Sequence, residues 1–122
     1  MTPVVYDAAV LVAADRNVRK VWAEHRVRLE AGTVPVVPSA VVVQVSRSPT
    51  QVQLRRLLQG CEVVSLTERR AHAAGRLLGR AGSSDVVASV AAELGADVVT
   101  GDRADIGRLL DAADASGRTI DL

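Results

Sequence analysis

Phenylalanine is absent from this 122-residue chain, and Tyr6 and Trp22 are its only aromatic residues. That scarcity argues against a surface that stacks successive nucleobases on aromatic rings. Lysine occurs once, at Lys20, and the net charge is only +1, so no global basic field attracts polyanions. A single cysteine, Cys61, excludes an intramolecular disulfide and a cysteine zinc cluster. Its place between Gly60 and Glu62, just before a strand, suits a small structural hydrophobe better than a nucleophile. No apolar run reaches the roughly 18 residues of a spanning helix, and no basic and apolar leader precedes the first strand. The expected location is the reducing cytoplasm.

Several recurrent site motifs are also missing. Neither G-x-x-x-x-G-K-[ST] nor G-x-G-x-x-G occurs. A phosphate-accepting receiver domain would place a lysine late in the chain, and Lys20 is early. A haloacid-dehalogenase-type phosphatase needs a second aspartate two residues after the first, where this chain has Ala9. His25 and His72 fall on apolar or charged helix faces and suggest no Ser-His-Asp arrangement.

What is present is a regular alternation of short apolar strands and helices over a length that suits one domain, residues 1–122. Strands are expected at Pro3–Tyr6, Val34–Val37, Glu62–Leu66, Asp97–Thr100 and Thr119–Leu122. Between them come helices at Ala8–Ala14 and Val18–Ala31, the latter with an apolar stripe of Val18, Val21, Trp22, His25 and Leu29. His25 in that seam reads as a packing or interface residue. Ser39 caps a helix over Ala40–Arg47, and Ser48-Pro49-Thr50-Gln51 reads as a capping box that starts the next, ending at Gly60. Thr67 caps Glu68–Arg80, on which Arg69, His72, Arg76 and Arg80 share one face. Helices from Asp85 and from Arg103 to Ala113 complete the set. The pattern predicts an α/β fold, a three-layer α/β/α sandwich with a mainly parallel central sheet.

The segment Ser84–Asp105 organises the chain. Asp85 opens one helix, strand Asp97–Thr100 follows, and Asp102 and Asp105 open another. Asp7 likewise closes the first strand. Each aspartate suits an N-cap or the first turn of a helix, where the macrodipole favours negative charge. Taken together they point further, since Asp7 and Asp102 follow apolar strands directly and should share one sheet edge. Close carboxylates repel, and a hard divalent cation relieves that repulsion. Metal-assisted chemistry is the class left.

These residues carry a resemblance. Asp7 after the first strand, Asp85 opening a helix that runs on to Gly95-Ala96, and Val99-Thr100-Gly101-Asp102 with Asp105 resemble a PIN domain. More narrowly they resemble the VapC-type toxins of toxin–antitoxin modules, over essentially the whole chain. The resemblance implies a Mg²⁺- or Mn²⁺-dependent endoribonuclease in which metal-activated water cleaves RNA. It implies catalytic roles for Asp7, Asp85 and Asp102, metal ligation by these three, support from Asp105, and Gln44 at the position of the family's second acidic ligand. Ala8 and Ala9 stand where small hydroxyl residues usually follow the first aspartate. Expected partners are an RNA substrate, steered by Arg69 and Arg76, a cognate antitoxin and a second copy of the chain. The neutral Gln44 leaves open an alternative, a catalytically weakened module that acts by binding RNA or an antitoxin.

Overall fold

A computed structural model describes residues 2–81 and 86–122, the side chains of 78–81 aside. Five short strands, β1 (Val4–Tyr6), β2 (Val36–Pro38), β3 (Glu62–Val64), β4 (Asp97–Thr100) and β5 (Thr119–Asp121), form one sheet in the order β3-β2-β1-β4-β5. Every pairing is parallel. The crossovers are helical: α1 (Ala8–Asp15) and α2 (Arg19–Glu30), then α3 (Ser39–Val45) and α4 (Val52–Gln59), then α5 (Glu68–Ala81) and α6 (Val86–Leu94), then α7 (Arg103–Ala112).

Parallel strands need both faces covered, which is why adjacent residues in the middle of β1 and β4 are apolar and buried. Val5, Tyr6, Val98 and Val99 are at most 1% exposed. Helix α1 packs against β1 and β4 and gathers α2, α3 and α4 around it, while α6 covers β1, β2 and β4 together with α5 and α7. The result is the expected three-layer sandwich. Strand order runs outward from β1 to β3 and then restarts at β4 on β1's other side. The topological switch point therefore lies between β1 and β4, where open α/β sheets place their ligand crevice.

Local chemistry explains most boundaries. Asn17 at φ +59° ends the α1 turn in the left-handed region that asparagine tolerates. At Gly117 a β-carbon would sit 1.8 Å from the Ala96 carbonyl oxygen, so only glycine lets the lead into β5 pass the start of β4. Most boundaries move by one or two residues from expectation, and two of the shifts have a visible physical reason. β2 begins at Val36 and includes Pro38, leaving Val34 outside the sheet and 55% exposed. Pro38 is the last residue of β2 and at once the N-cap residue of α3. The second shift is at α4, which starts at Val52 although the capping hydrogen bonds form: Ser48 N donates to Gln51 Oε1 at 3.0 Å and Thr50 N to Ser48 Oγ at 3.2 Å. Gln51, at ψ 74°, is not helical. Its amide instead donates to Asp15 Oδ2 at 3.1 Å and Val45 O at 3.0 Å, tying the loop to α1.

Candidate active site at the carboxyl ends of β1 and β4

Asp7 leaves β1 in extended conformation and becomes the N-cap of α1. Its own amide donates to the Val99 carbonyl at 3.2 Å, which continues the β1–β4 ladder one residue past the strand. Its Oδ1 accepts from Ala9 N at 2.9 Å and Val10 N at 3.4 Å. On the neighbouring strand, Thr100 turns its buried hydroxyl forward to accept from Asp102 N at 2.9 Å. Asp102 then caps α7, its Oδ1 accepting from Asp105 N at 3.2 Å. Two aspartates thus stand side by side at the switch point, each anchored by one carboxylate oxygen at a helix N-terminus.

The approach of the two loops depends on small residues. A β-carbon on Gly101 would come within 3.0 Å of the Ala9 side chain. Gly101 and Ala9, one residue before Asp102 and two after Asp7, therefore pack directly together. Ala9, where the resemblance expects a hydroxyl, serves here as a contact for the opposite loop.

Three further residues were anticipated at this edge. Asp105 is in the first turn of α7, with Oδ1 held by Arg108 Nη2 at 2.8 Å. Asp85 lies outside the described residues. Gln44 is exposed on α3 and lines a cleft with Val12, Asp15 and Arg16. Asp15 is eight residues along α1 from Asp7, about 12 Å at the helical rise. That cleft runs along the α1–α3 contact. Among the described residues no group of three or more His, Cys, Asp or Glu side chains is placed to hold a metal ion.

On α5, Arg69 and Arg76 line a common cleft of about 320 Å³ against Ser89 and Ala92 of α6. His72, expected on the same stripe, pairs with Glu68 at 3.3 Å in solvent. The residue that ties α5 down is Arg70, which meets Glu93 at 3.1 Å and donates to Ser65 O at 3.0 Å. Cys61 is part-buried, its thiol 3.3 Å from the Leu57 carbonyl, and burial pushes its pKa up to about 12. A thiol of that kind is a packing group.

One cluster was not anticipated. His25 is buried, as its place in the stripe suggested, but its Nδ1 lies 2.9 Å from the Tyr6 hydroxyl, which also accepts from Arg28 Nη1 at 3.2 Å. Burial first, then the neighbouring Arg28 cation, lower the His25 pKa. Tyr6 immediately precedes Asp7, so the cluster braces the strand end that delivers the first carboxylate. The clue was available in the two polar aromatic residues set in apolar segments, since such groups seek partners when buried.

No protein-family model matches the chain, and no curated protein does. Among solved structures the chain is similar to one in the crystal structure of VapBC2 from Rickettsia felis bound to a DNA fragment from their promoter. The two agree with a TM-score of 0.73 over 99% of each chain at 15% identity, a likeness of fold.

Proposed function

We propose that this chain is a PIN-type, metal-dependent endoribonuclease acting as the toxin of a toxin–antitoxin module in the cytoplasm. The observation that carries the reading is the juxtaposition of Asp7 and Asp102 at the β1–β4 switch point. The fold shared with a protein of a VapBC2 structure supports it.

The donor set fits a hard dication in kind: carboxylates only, with one oxygen of each aspartate engaged in capping and the other outside the cap. Asp7 and Asp102 would hold Mg²⁺ or Mn²⁺, with Asp85 as the third ligand, Asp105 in support and Gln44 as a neutral contributor. When bound, the ion supplies Lewis acidity to a scissile phosphate and acidifies a water molecule. The chain's own residues do the rest. The caps fix the rotamers of Asp7 and Asp102, and the Gly101–Ala9 contact sets the spacing of the loops. Arg69 and Arg76 contribute positive charge for RNA phosphates. Partner proteins are an antitoxin and a second copy of the chain. Apolar side chains such as Val27, 64% exposed, and Val43, 74% exposed, offer surface for them.

The neutral Gln44 at the position of an acidic ligand, with Ala8 and Ala9 in place of hydroxyl residues, favours a second reading, a weakened module that works by binding RNA or antitoxin. A cleavage assay on structured RNAs with Mg²⁺ or Mn²⁺ separates the two. Cleavage that is lost in EDTA and in Asp7→Asn supports the nuclease. RNA binding without cleavage at any metal concentration supports the binding module.

A further inference from the structure

A surface cleft of about 500 Å³ lies between α2 and the turn from α4 to β3, away from the acidic edge. Trp22 and Leu29 wall it, His25 forms its floor and Gly60 closes one end, with Arg26 and Arg56 at the rim. We infer that this cleft binds a small aliphatic carboxylate, whose charged end meets the His25 Nε2–H and whose chain lies against Trp22 and Leu29.

The donor follows from hydrogen-bond logic. Arg28 has only donors, so the Tyr6 oxygen accepts from it. The Tyr6 hydroxyl proton then needs an acceptor in a buried setting, and His25 Nδ1, 2.9 Å away, is the one present. Accepting at Nδ1 places the proton of the neutral imidazole on Nε2. His25 is 4% exposed, yet among the described residues no hydrogen-bond partner meets Nε2. Nor is any fully buried side-chain nitrogen or oxygen left without a partner among those residues. Nε2 therefore opens onto the cleft its ring lines, a fixed donor in a mainly apolar notch.

Space for a ligand at that donor depends on Gly60. A β-carbon there would stand 3.0 Å from His25 Nε2 and 3.1 Å from Leu29 Cδ1. The backbone at φ −91°, ψ 0° is open to any residue, so glycine here preserves room rather than a turn. The rim sets the sign of the charge. Arg26 is matched by Glu30 at 3.7 Å, whereas Arg56 has no acidic partner among the described residues. One inward donor at the end of an apolar notch suits one acceptor at the end of an apolar chain. An extended polypeptide would bring donors and acceptors every residue, about 3.3 Å apart, along the Trp22 and Leu29 wall, where only side chains such as Glu30, Arg56 and Gln59 could answer them.

The test uses the full chain, with hexanoate as probe and hexanamide and N-acetyl-leucinamide as comparisons. Binding is read from the ¹⁵N and ¹H shifts of the His25 ring and the Trp22 indole. Hexanoate should move both sets saturably, with the Nε2–H tautomer retained, and bind about ten-fold more tightly than hexanamide, as expected for a charge-assisted hydrogen bond. Gly60→Ala should abolish the response. Should that variant fail to fold, Arg56→Gln decides, weakening hexanoate about three-fold and leaving hexanamide unchanged. The inference is overturned if hexanoate moves neither ring, or if N-acetyl-leucinamide binds as tightly, which would make the cleft a polypeptide site. It is also overturned if the same shifts follow protein concentration without ligand, which would mean that a second copy covers the cleft.

Discussion

Removing one oxygen atom at Tyr6 tests how β1 is held. Tyr6→Phe keeps the ring, which is fully buried against His25 at 5.8 Å between centroids and beneath the Arg28 guanidinium at 5.5 Å. It deletes the group that joins Arg28 to His25 Nδ1. Cation–π and packing contacts persist, so the loss is that of a buried acceptor and a buried donor. Leaving His25 Nδ1 unanswered costs about 1–3 kcal/mol, while Arg28, part-exposed and 3.9 Å from Glu24, turns to that carboxylate and solvent. The expected destabilisation is therefore about 2 kcal/mol, measured by urea unfolding followed by circular dichroism with the slope unchanged. His25→Leu alone should cost a similar amount, because it strands the Tyr6 hydroxyl. The double variant should cost less than the sum by about 1 kcal/mol or more, since both stranded groups are then gone. A Tyr6→Phe loss below about 0.5 kcal/mol, or strict additivity, would refute the hydrogen-bond assignment, and with it the Nε2–H tautomer.

Other consequences can be checked in the same material. His25 has a lowered pKa in the fold, so its contribution to stability is complete above its ordinary value near 6.5. As pH falls below that value the unfolded chain binds the proton first, and stability declines by at most about 1.4 kcal/mol per pH unit, a slope His25→Leu should flatten. Gly117→Ala should lower the melting temperature sharply, because its β-carbon meets the Ala96 carbonyl rather than a movable side chain; a change under about 2 °C would mean the β5 lead is free to shift. Gln51→Ala removes the amide that bridges Asp15 and Val45 and should loosen the α3–α4 loop. Faster proteolysis or hydrogen exchange between residues 46 and 52 is the expected readout, and unchanged protection would count against that bridge.

The parts of the fold that were legible in the sequence are those fixed by local patterns. β4 matches its expected span, Asp97–Thr100, because its apolar run is bounded by the Gly95 turn and by Gly101. The helix from Arg103 was legible for the same reason, with Asp102 as its cap. The side-by-side placement of Asp7 and Asp102 also followed, since each acid comes directly after a central strand. What was not legible depended on partners far along the chain. The start of α4 moved because Asp15, 36 residues away, draws on the Gln51 amide. Tyr6 and His25 are 19 residues apart, and neither side chain announces the other. On α5 helical periodicity singled out Arg69 and Arg76, but the cross-helix ion pair went to Arg70, which faces Glu93 only once α6 is packed.

The account stands on Asp7 and Asp102 acting together on a metal ion. Asparagine can replace each as an N-cap at little cost, accepting the same backbone hydrogen bonds without the charge. The decisive measurement is calorimetric titration of Mn²⁺ into the wild type, Asp7→Asn and Asp102→Asn, beside RNA cleavage by the same samples. The account predicts metal binding and cleavage by the wild type, with both lost or weakened at least about ten-fold in either variant while melting temperatures stay within a few degrees. Metal binding and cleavage that survive in both variants would contradict it.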